Sequence, residues 1–211
     1  QSPGKVIGGS ITFEGKDVLS FSKEEMTAFR GNKVATIFQN PMTCLNPVYT
    51  IGNQLVEALR AHDKKISKEE AQKRAMEMME LVGINNVEKR MKQYPHEFSG
   101  GMRQRAALLR TYLSSSGVAL LDEPFSALDT LTKASVHKWY LEVMQHIDLS
   151  TLFITHDIDE AILLSDRIYI LNGTPGTIKD EIVIQERKPR AADFALSEEF
   201  LEYKRRIISK L

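Results

Sequence analysis

Apolar and polar positions alternate with two different periods along the second half of the chain, from about residue 99 onward. Stretches with apolar residues three or four apart predict helices, and short apolar runs predict buried strands. Strands that alternate with helices favour crossover connections and a parallel sheet. The pattern therefore predicts an α/β fold, with helices over 101–113, 131–146 and 158–164 and parallel strands over 118–121, 151–155 and 167–171.

The first 98 residues divide into two parts. Up to residue 40, the sequence predicts a β-hairpin, a helix capped by Ser22 and a buried strand over 34–38. After that the pattern is mostly helical, and its clearest helix is capped by Ser67 and ends at Gly83. From Ile182 the pattern predicts one more strand and then an amphipathic helix. We therefore predict four regions: a partial β-rich core at 1–40, an inserted α-helical subdomain at 41–98, a second core region at 99–180 and a C-terminal strand and helix at 181–211.

Composition narrows the class of protein. The chain has 211 residues, with 28 Lys and Arg balanced by 28 Asp and Glu, so no bulk charge favours nucleic acid. The single cysteine, Cys44, excludes an internal disulfide and a cysteine-based zinc site. No apolar run approaches the length of a membrane span, and the first residues lack the features of a signal peptide. We therefore expect a cytoplasmic protein.

A strand that ends in two acids carries the first candidate chemistry. The apolar run 118–121 is followed directly by Asp122 and Glu123. Open α/β sheets place ligands at the carboxyl ends of their strands. In a nucleotide hydrolase, Asp122 could hold Mg²⁺ through water and Glu123 could polarise the attacking water. Taken alone, the run also fits a strand that merely happens to end in acids.

A serine and two glycines open the predicted helix that precedes this strand. The backbone N–H groups and the positive dipole end of a helix favour a phosphate, and glycine lets the backbone approach an anion closely. Ser99, Gly100 and Gly101 therefore form a candidate phosphate contact. By itself, this tripeptide is also typical of a plain helix cap.

Five motifs in order resemble those of the ABC transporter ATPases. Phe98 to Arg105 resembles the signature motif, Leu120 to Pro124 the Walker B strand, Ser126 to Asp129 the D-loop, and Ile154 to Asp157 the segment of the switch histidine. Upstream, Ile37 to Pro41 resembles the Q-loop. The likeness runs from about residue 8 to residue 176. It implies a P-loop NTPase-like parallel sheet with an inserted α-helical subdomain.

The resemblance also implies a role for each matching residue. Gln39 would contact Mg²⁺ and the attacking water, Asp122 would support Mg²⁺, and Glu123 would be the general base. His156 would hold the γ-phosphate and the water in line. Asp129 would couple two sites across a dimer. Ser99 and Gly101 would contact the γ-phosphate of a nucleotide held by the opposite subunit, and Gly100 between them would belong to the same nucleotide-binding set.

One family motif is missing from the 211 residues. A phosphate-binding P-loop, or Walker A motif, reads G-x-x-x-x-G-K-[ST]. The nearest candidate, Gly4-Lys5, is followed by Val6 and has no upstream glycine. We therefore expect an N-terminally truncated core, through truncation of the gene model or of the polypeptide, and we expect that these residues alone do not bind ATP in the usual way.

The two halves resemble different branches of the family. Residues up to Arg105 resemble the ATPases of peptide and nickel importers. From Pro124 onward, the chain is more similar to the ATPases of nitrate, sulfonate and taurine-type importers. Natural variation and a joined sequence both fit this pattern, so the transported solute stays open.

The resemblance implies an ATP-hydrolysing subunit that energises solute import. It would form a homo- or heterodimer of ATPase subunits, and its other partners would be transmembrane permease subunits and, indirectly, a solute-binding protein, with no nucleic acid. It would lie on the inner face of the cell membrane, with ATP and Mg²⁺ in its site. Two alternatives stay open: a truncated fragment that does not hydrolyse ATP, and a soluble ABC ATPase that acts on nucleic acid or the ribosome.

Overall fold

The structure is a computed structural model that describes residues 6–37, 44–113, 117–147, 149–188, 190–191 and 193–211. Seven strands and eight helices lie in these ranges. The strands are β1 (Thr12–Phe13), β2 (Lys16–Asp17), β3 (Val34–Ile37), β4 (Val118–Asp122), β5 (Ser150–Ile154), β6 (Arg167–Asn172) and β7 (Thr177–Val183). The helices are α1 (Lys23–Asn32), α2 (Ile51–His62), α3 (Lys68–Leu81), α4 (Val87–Arg90), α5 (Gly100–Leu113), α6 (Thr130–Met144), α7 (Ile158–Leu164) and α8 (Glu198–Ile208).

A parallel sheet in the order β3, β4, β5 forms the centre of the fold. Ala35 pairs with Ala119, and Ala119 pairs with Thr151, so the three strands run in register. Helices α2 to α5 lie between β3 and β4 along the chain, and α6 lies between β4 and β5, as the alternating pattern predicts for the second half. The predicted α/β class and the predicted strands over 118–121 and 151–155 are confirmed to within one residue at each end.

The middle strand is buried unevenly on its two faces. Ala119 and Leu121 are completely buried, whereas Leu120 is only half-buried. Ala119 and Leu121 belong to one apolar core with residues of α5, α6 and α2, among them Leu108, Tyr140 and Leu55. The helical residues after 44 therefore share a core with the sheet, and the predicted division into four regions stays a prediction.

The prediction of a parallel strand over 167–171 is wrong in its pairing. β6 pairs antiparallel with β7, in a two-stranded sheet of its own. Only residues 173–176 separate the two strands, and a parallel neighbour needs a crossover of a dozen or more residues. β7 begins at Thr177, five residues before the Ile182 at which the sequence predicts the strand, so the connection between β6 and β7 is a tight turn.

The predicted ends of the helices are confirmed where side chains cap them. Ser22 accepts a hydrogen bond from the N–H of Glu25, whose carboxylate accepts one in return from the N–H of Ser22. Ser67 accepts one from the N–H of Glu70 at the start of α3. After α3, Gly83 has a φ of 70°, the left-handed conformation that ends many helices.

A groove separates β5 from the antiparallel pair. Among the described strands, β5 pairs only with β4, and Leu152 and Ile154 on β5 are 53% and 58% exposed. The groove has a volume of about 610 Å³ and lies between residues 150–153 of β5, with Thr155 just after that strand, and residues 167–169 of β6. An unpaired strand edge with exposed apolar side chains is a surface to which a further strand can add. In the described ranges, no helix is both long and apolar enough to span a membrane.

Candidate functional site

The ends of two neighbouring parallel strands bring Glu123 and His156 together. Asp122, the last residue of β4, pairs with Ile154, the last residue of β5. The N–H of Glu123 then donates to the carbonyl of Ile154 at 2.8 Å, which extends the ladder by one bond. Oε1 of Glu123 lies 2.8 Å from Nδ1 of His156. Because an ionised carboxylate only accepts hydrogen bonds, Nδ1 carries the proton and Nε2 is the ring atom that can contact a ligand.

The backbone of Glu123 is strained. Its φ is 45°, in the left-handed region that costs a residue with a side chain about 1–2 kcal/mol. A tight turn holds this conformation, since the N–H and the hydroxyl of Ser126 both donate to the carbonyl of Glu123. The side chain of Glu123 is 26% exposed and that of His156 is 74% exposed, so solvent reaches both. Strain held by surrounding bonds is typical of functional sites.

Asp122 lies half-buried at the same strand end, beside Glu123. In the part of the chain that the structure describes, no three His, Cys, Asp or Glu side chains come close enough to form a metal cage. Mg²⁺ does not need one, because it is usually bound by one or two carboxylates together with waters and substrate phosphates. Gln39, the other predicted ligand, lies outside the described residues.

The serine and the two glycines open α5, as predicted. The N–H of Met102 lies 3.4 Å from Oγ of Ser99, so Ser99 caps the helix weakly. Gly100 and Gly101 are the first helical residues. A Cβ placed on Gly100 would meet no atom within 4 Å, and one on Gly101 would make only ordinary contacts, the nearest at 3.4 Å to Thr132. The fold of this chain therefore does not itself require glycine at either position.

A second groove holds this glycine turn together with Asp129. It has a volume of about 570 Å³ and is lined by Ser99, Gly100, Gly101 and the segment from Ala127 to Asp129, with the first turns of α6. The Asp129 carboxylate accepts a hydrogen bond from the N–H of Thr132 and caps α6. Hydrogen bonds from the Thr132 side chain and backbone hold the pKa of Asp129 below its ordinary value.

The predicted site residues thus form two groups. Asp122, Glu123 and His156 lie at the ends of β4 and β5, and none of them lines the groove of Ser99 and Asp129. The first group offers carboxylates and an imidazole, which suit Mg²⁺ and proton transfer, and the second offers a helix N-terminus, which suits a phosphate. The roles expected for these residues stay predictions.

Sequence reasoning missed two polar contacts that hold the groups in place. Gln104, which is 1% exposed, donates from its side-chain amide to the carbonyl of Pro124 and so joins α5 to the segment after Glu123. Lys133 of α6 donates to Asp157, the residue after His156, over 2.9 Å. Two local patterns were the only sequence signals for the residues of the second contact. They are the four-residue spacing from Asp129 to Lys133 and the Asp157-x-x-Glu160 pattern of a helix cap.

The charge of Asp157 depends on these contacts. Burial by itself raises the pKa of Asp157, but the hydrogen bonds from Lys133 and from the N–H of Glu160 lower it by more, so the pKa lies below its ordinary value. Asp157 also caps α7, since its Oδ1 accepts from that same N–H at 3.1 Å. Asp157 is therefore a negatively charged residue at neutral pH, bound by both helices.

The family model for the ABC transporter matches residues 3–126 of the chain. This chain belongs to the ABC transporter family. Its membership confirms the resemblance on which the expected motifs rest. The signature and Walker B segments of this ABC chain both lie within the matched residues.

Curated relatives of this ABC chain carry the names of peptide transport proteins. The oligopeptide transport ATP-binding protein OppD of Bacillus subtilis is 43% identical over 191 residues, which cover 89% of this chain and 53% of OppD. The dipeptide transport ATP-binding protein DppD of the same organism is 42% identical over 189 residues, which cover 88% of this chain and 56% of DppD. The chain spans about half the length of the curated relatives it matches. The separate likeness of the C-terminal part to nitrate, sulfonate and taurine-type importers stays a prediction.

Solved structures confirm the fold. A dimeric post-hydrolysis state of the ATP-binding cassette MJ0796, bound to ADP and Pi, superposes with a TM-score of 0.67 at 23% identity, over 86% of this ABC chain and 75% of that one. The cbiO1 subunit of Clostridium perfringens, part of the ABC transporter complex cbiONQ, has a TM-score of 0.65 at 22% identity, over 77% of this chain and 62% of its own. At these identities the likeness concerns the fold alone.

Proposed function

We propose that this chain is part of an ATP-hydrolysing subunit that energises the import of peptides through a membrane permease. The contact between Glu123 and His156 is the observation that carries the hydrolytic part of this proposal. The names of the relatives OppD and DppD support the peptide substrate. They also favour an importer over an ABC ATPase that acts on nucleic acid, as does the zero net charge of the chain.

Glu123 is the general base of the proposed reaction. Water attacks the γ-phosphorus of ATP, the bond to the β-γ bridging oxygen breaks, and ADP and inorganic phosphate leave. Oε1 of Glu123 is bound to His156, so its other carboxylate oxygen can accept the proton of the attacking water. The strained backbone and the bond to Nδ1 of His156 both fix the direction of this carboxylate. Nε2 of His156 contacts the γ-phosphate and keeps the water in line.

Asp122 and Gln39 are the proposed Mg²⁺ ligands. Asp122 fits this role because it is a half-buried carboxylate at the strand end beside the proposed base, and Mg²⁺ takes its remaining ligands from water and phosphate. When bound, Mg²⁺ neutralises charge on the β- and γ-phosphates. The role of Asp122 is to hold its carboxylate at the end of the hydrogen-bond ladder between β4 and β5, next to Glu123.

The second group of residues binds the nucleotide of another copy. Ser99, Gly100 and Gly101 present helix N–H groups to the γ-phosphate, and Asp129 lies in the same groove. Because Glu123 and His156 do not line this groove, the two groups meet most simply across a two-fold dimer, with each copy giving one half of each site. Glycine at 100, which the chain's own packing leaves free, then allows the partner's ATP to approach.

The phosphate-binding loop of the proposed site comes from outside these 211 residues. The sequence contains no G-x-x-x-x-G-K-[ST], and the open edge of β5 faces the 610 Å³ groove toward β6. A strand that pairs with β5 there would end at the same edge of the sheet as Asp122 and His156 if it ran parallel to β5. We call the chain together with such a loop the complete protein.

The remaining parts of the proposal concern partners and place. The helices between 41 and 98 form the subdomain that docks on the permease, and a solute-binding protein delivers the peptide to that permease. Tyr49, which is exposed just before α2, lies in this subdomain. The subunit works on the cytoplasmic side of the cell membrane, where ATP is supplied, and binds no nucleic acid.

Replacement of the base tests the proposed activity. In the complete protein, Glu123→Gln keeps the shape of the side chain and removes the proton acceptor, so we expect ATP binding within about twofold of wild type and phosphate release slower by about 10²–10⁴-fold. Glu88→Gln, at an exposed position on α4, is the matched control and should retain wild-type turnover. Undiminished hydrolysis by the Glu123→Gln protein would remove Glu123 from the mechanism.

A further inference from the structure

Four charged or ionisable side chains join α6 to α7. Nζ of Lys133 lies 2.9 Å from Oδ2 of Asp157 and 4.0 Å from Oε1 of Glu160. The same Oε1 lies 2.9 Å from Nε2 of His137, one turn further along α6. We call Lys133, His137, Asp157 and Glu160 the α6–α7 charge cluster.

The cluster is buried enough for its pairing to be required. The side chain of Glu160 is only 3% exposed, that of His137 is 9% exposed and that of Lys133 is 23% exposed. A buried carboxylate is strongly unfavourable unless it is paired and hydrogen-bonded. Apolar residues of similar volume often replace a buried ion pair without loss of stability, so we take the role of this cluster to be the fixing of one geometry.

We call the two groups of site residues the acid half-site (Asp122, Glu123 and His156) and the glycine half-site (Ser99, Gly100, Gly101 and Asp129). Each helix in the cluster begins next to one of them. The N–H of Lys133 donates to the carbonyl of Asp129 at 2.8 Å, so Lys133 lies in the first turn of α6, directly beyond the groove of the glycine turn. Asp157 caps α7 and directly follows His156, whose ring contacts Glu123. The ammonium group of Lys133, in the first turn of α6, therefore binds Asp157, the residue that caps α7.

A residue from the segment that follows β4 also contacts the cluster. The ring of Phe125 packs edge-on against His137, with centroids 5.0 Å apart, and is fully buried. Phe125 lies two residues after Glu123, in the turn that holds the strained backbone. The cluster is thus in contact with the segments that follow both β4 and β5.

We infer that Lys133 is a positioning residue that sets His156 relative to Asp129, so that the two half-sites of one chain move as a unit. The inference rests on the proposed function, since it assigns a task to residues of that site. Lys133 does not contact the nucleotide; it acts through Asp157. If the two half-sites of one chain move together, ATP bound at one site of the dimer can change the geometry of the other site.

Hydrogen exchange tests the positioning without any need for catalysis. In the 211-residue chain, Lys133→Met should speed the exchange of amides in 155–161 and 129–133 by about tenfold, because the ion pair with Asp157 is lost. The exchange of amides in β6 and β7 should stay unchanged. Lys133→Arg should restore wild-type exchange. Lys73→Met, which removes an exposed ion pair with Glu77 on α3, is the matched control and should change neither segment.

A second variant covers the case in which Lys133→Met loosens the whole chain. Asp157→Asn removes the partner charge but keeps an oxygen that can cap α7, so we expect the same local change with the rest of the chain protected. Unchanged exchange in 155–161 in both variants would overturn the inference, whether or not the complete protein hydrolyses ATP.

Kinetics then separate positioning from simple stabilisation. In a complete protein that hydrolyses ATP, Lys133→Met should lower kcat about tenfold with KM for ATP within about twofold, and Lys133→Arg should restore kcat. Faster local exchange with an unchanged kcat would overturn the positioning role. If the wild-type complete protein did not hydrolyse ATP, the proposed function would fail, and the exchange experiment would still decide whether Lys133 holds the two segments.

Discussion

Oε1 of Glu123 and Nδ1 of His156 lie 2.8 Å apart, although 33 positions separate the two residues along the chain. Two facts of the parallel sheet produce this contact. β4 and β5 end level with each other, and the ladder continues from the N–H of Glu123 to the carbonyl of Ile154. An acid just after one strand and an imidazole two residues after the next then face each other.

The strained backbone of Glu123 gives a test that needs only this chain. Glu123→Gly removes the Cβ that disfavours a φ of 45°, whereas Glu123→Ala removes the carboxylate and keeps the Cβ. We expect the glycine variant to be more stable than the alanine variant by about 1 kcal/mol in the free energy of unfolding, measured with urea.

Glu142 offers the matched control. It is exposed near the end of α6, where the backbone is helical and alanine is favoured over glycine by about 1 kcal/mol. The order of the alanine and glycine variants should therefore reverse between positions 123 and 142. The same order at both positions would show that Glu123 carries no backbone strain.

The glycine turn should tolerate a side chain in folding and not in activity. A Cβ on Gly100 meets no atom within 4 Å, so Gly100→Ala should leave the free energy of unfolding of this chain unchanged or slightly higher. In the complete protein it should lower ATP hydrolysis on the order of tenfold or more, because the added Cβ blocks the approach of the partner's phosphate.

Gly52 shows what a structurally required glycine looks like. A Cβ there would lie 2.6 Å from the carbonyl oxygen of Met91, so Gly52→Ala should destabilise the chain clearly in the same urea titration. If Gly100→Ala unfolded as readily as Gly52→Ala, position 100 would be a structural glycine and its proposed contact with ATP would lose its support.

Acid should weaken the fold in part through Asp157. A carboxylate whose pKa is lowered by folding stabilises the folded state above its ordinary pKa, about 3.9 for Asp, and the contribution disappears as the pH falls through the lower, folded value. The free energy of unfolding, compared between about pH 6 and about pH 3, should therefore fall less for Asp157→Asn than for wild type.

The partner of Asp157 gives an independent check on the same effect. Lys133→Met removes the hydrogen bond that lowers the pKa of Asp157, so this variant should also lose less stability on acidification than wild type. Curves of both variants that run parallel to wild type between those pH values would contradict the assignment of this pH dependence to Asp157.

Local sequence signals predicted the fold well where each element is decided by its own residues. The run 118–121 is apolar and sits between two helical patterns, and the structure has a parallel strand there. The pairing of β6 depends instead on how long its connection is. The turn at 173–176 lay inside a stretch whose polar residues gave no strand signal, so β7 was predicted too late. The parallel neighbour of β6 was predicted from the alternation of helices and strands, which does not reveal an antiparallel partner that follows directly.

For the candidate site, too, the sequence predicts residues marked by their own element and misses contacts between distant elements. Asp122, Glu123 and Ser99 could be predicted because each lies at the end of an element that the sequence marks. The buried pair of His137 and Glu160 could not, since its members are 23 positions apart and lie on two helices whose packing the sequence does not state. Likewise, nothing in the sequence indicates that the Gln104 amide reaches the carbonyl of Pro124.

Mixing two inactive variants of the complete protein tests the shared site most directly. Glu123→Gln damages the acid half-site and Gly100→Val the glycine half-site, so each homodimer should be inactive. A mixed dimer should contain one site with both halves intact, so an equimolar mixture should recover ATP hydrolysis. The recovery should reach up to about one quarter of wild type, because random pairing makes half of the dimers mixed and each mixed dimer has one of its two sites intact. Activity that stays at the level of the separate variants would show that both halves of a site come from one chain, and the dimeric site would be wrong.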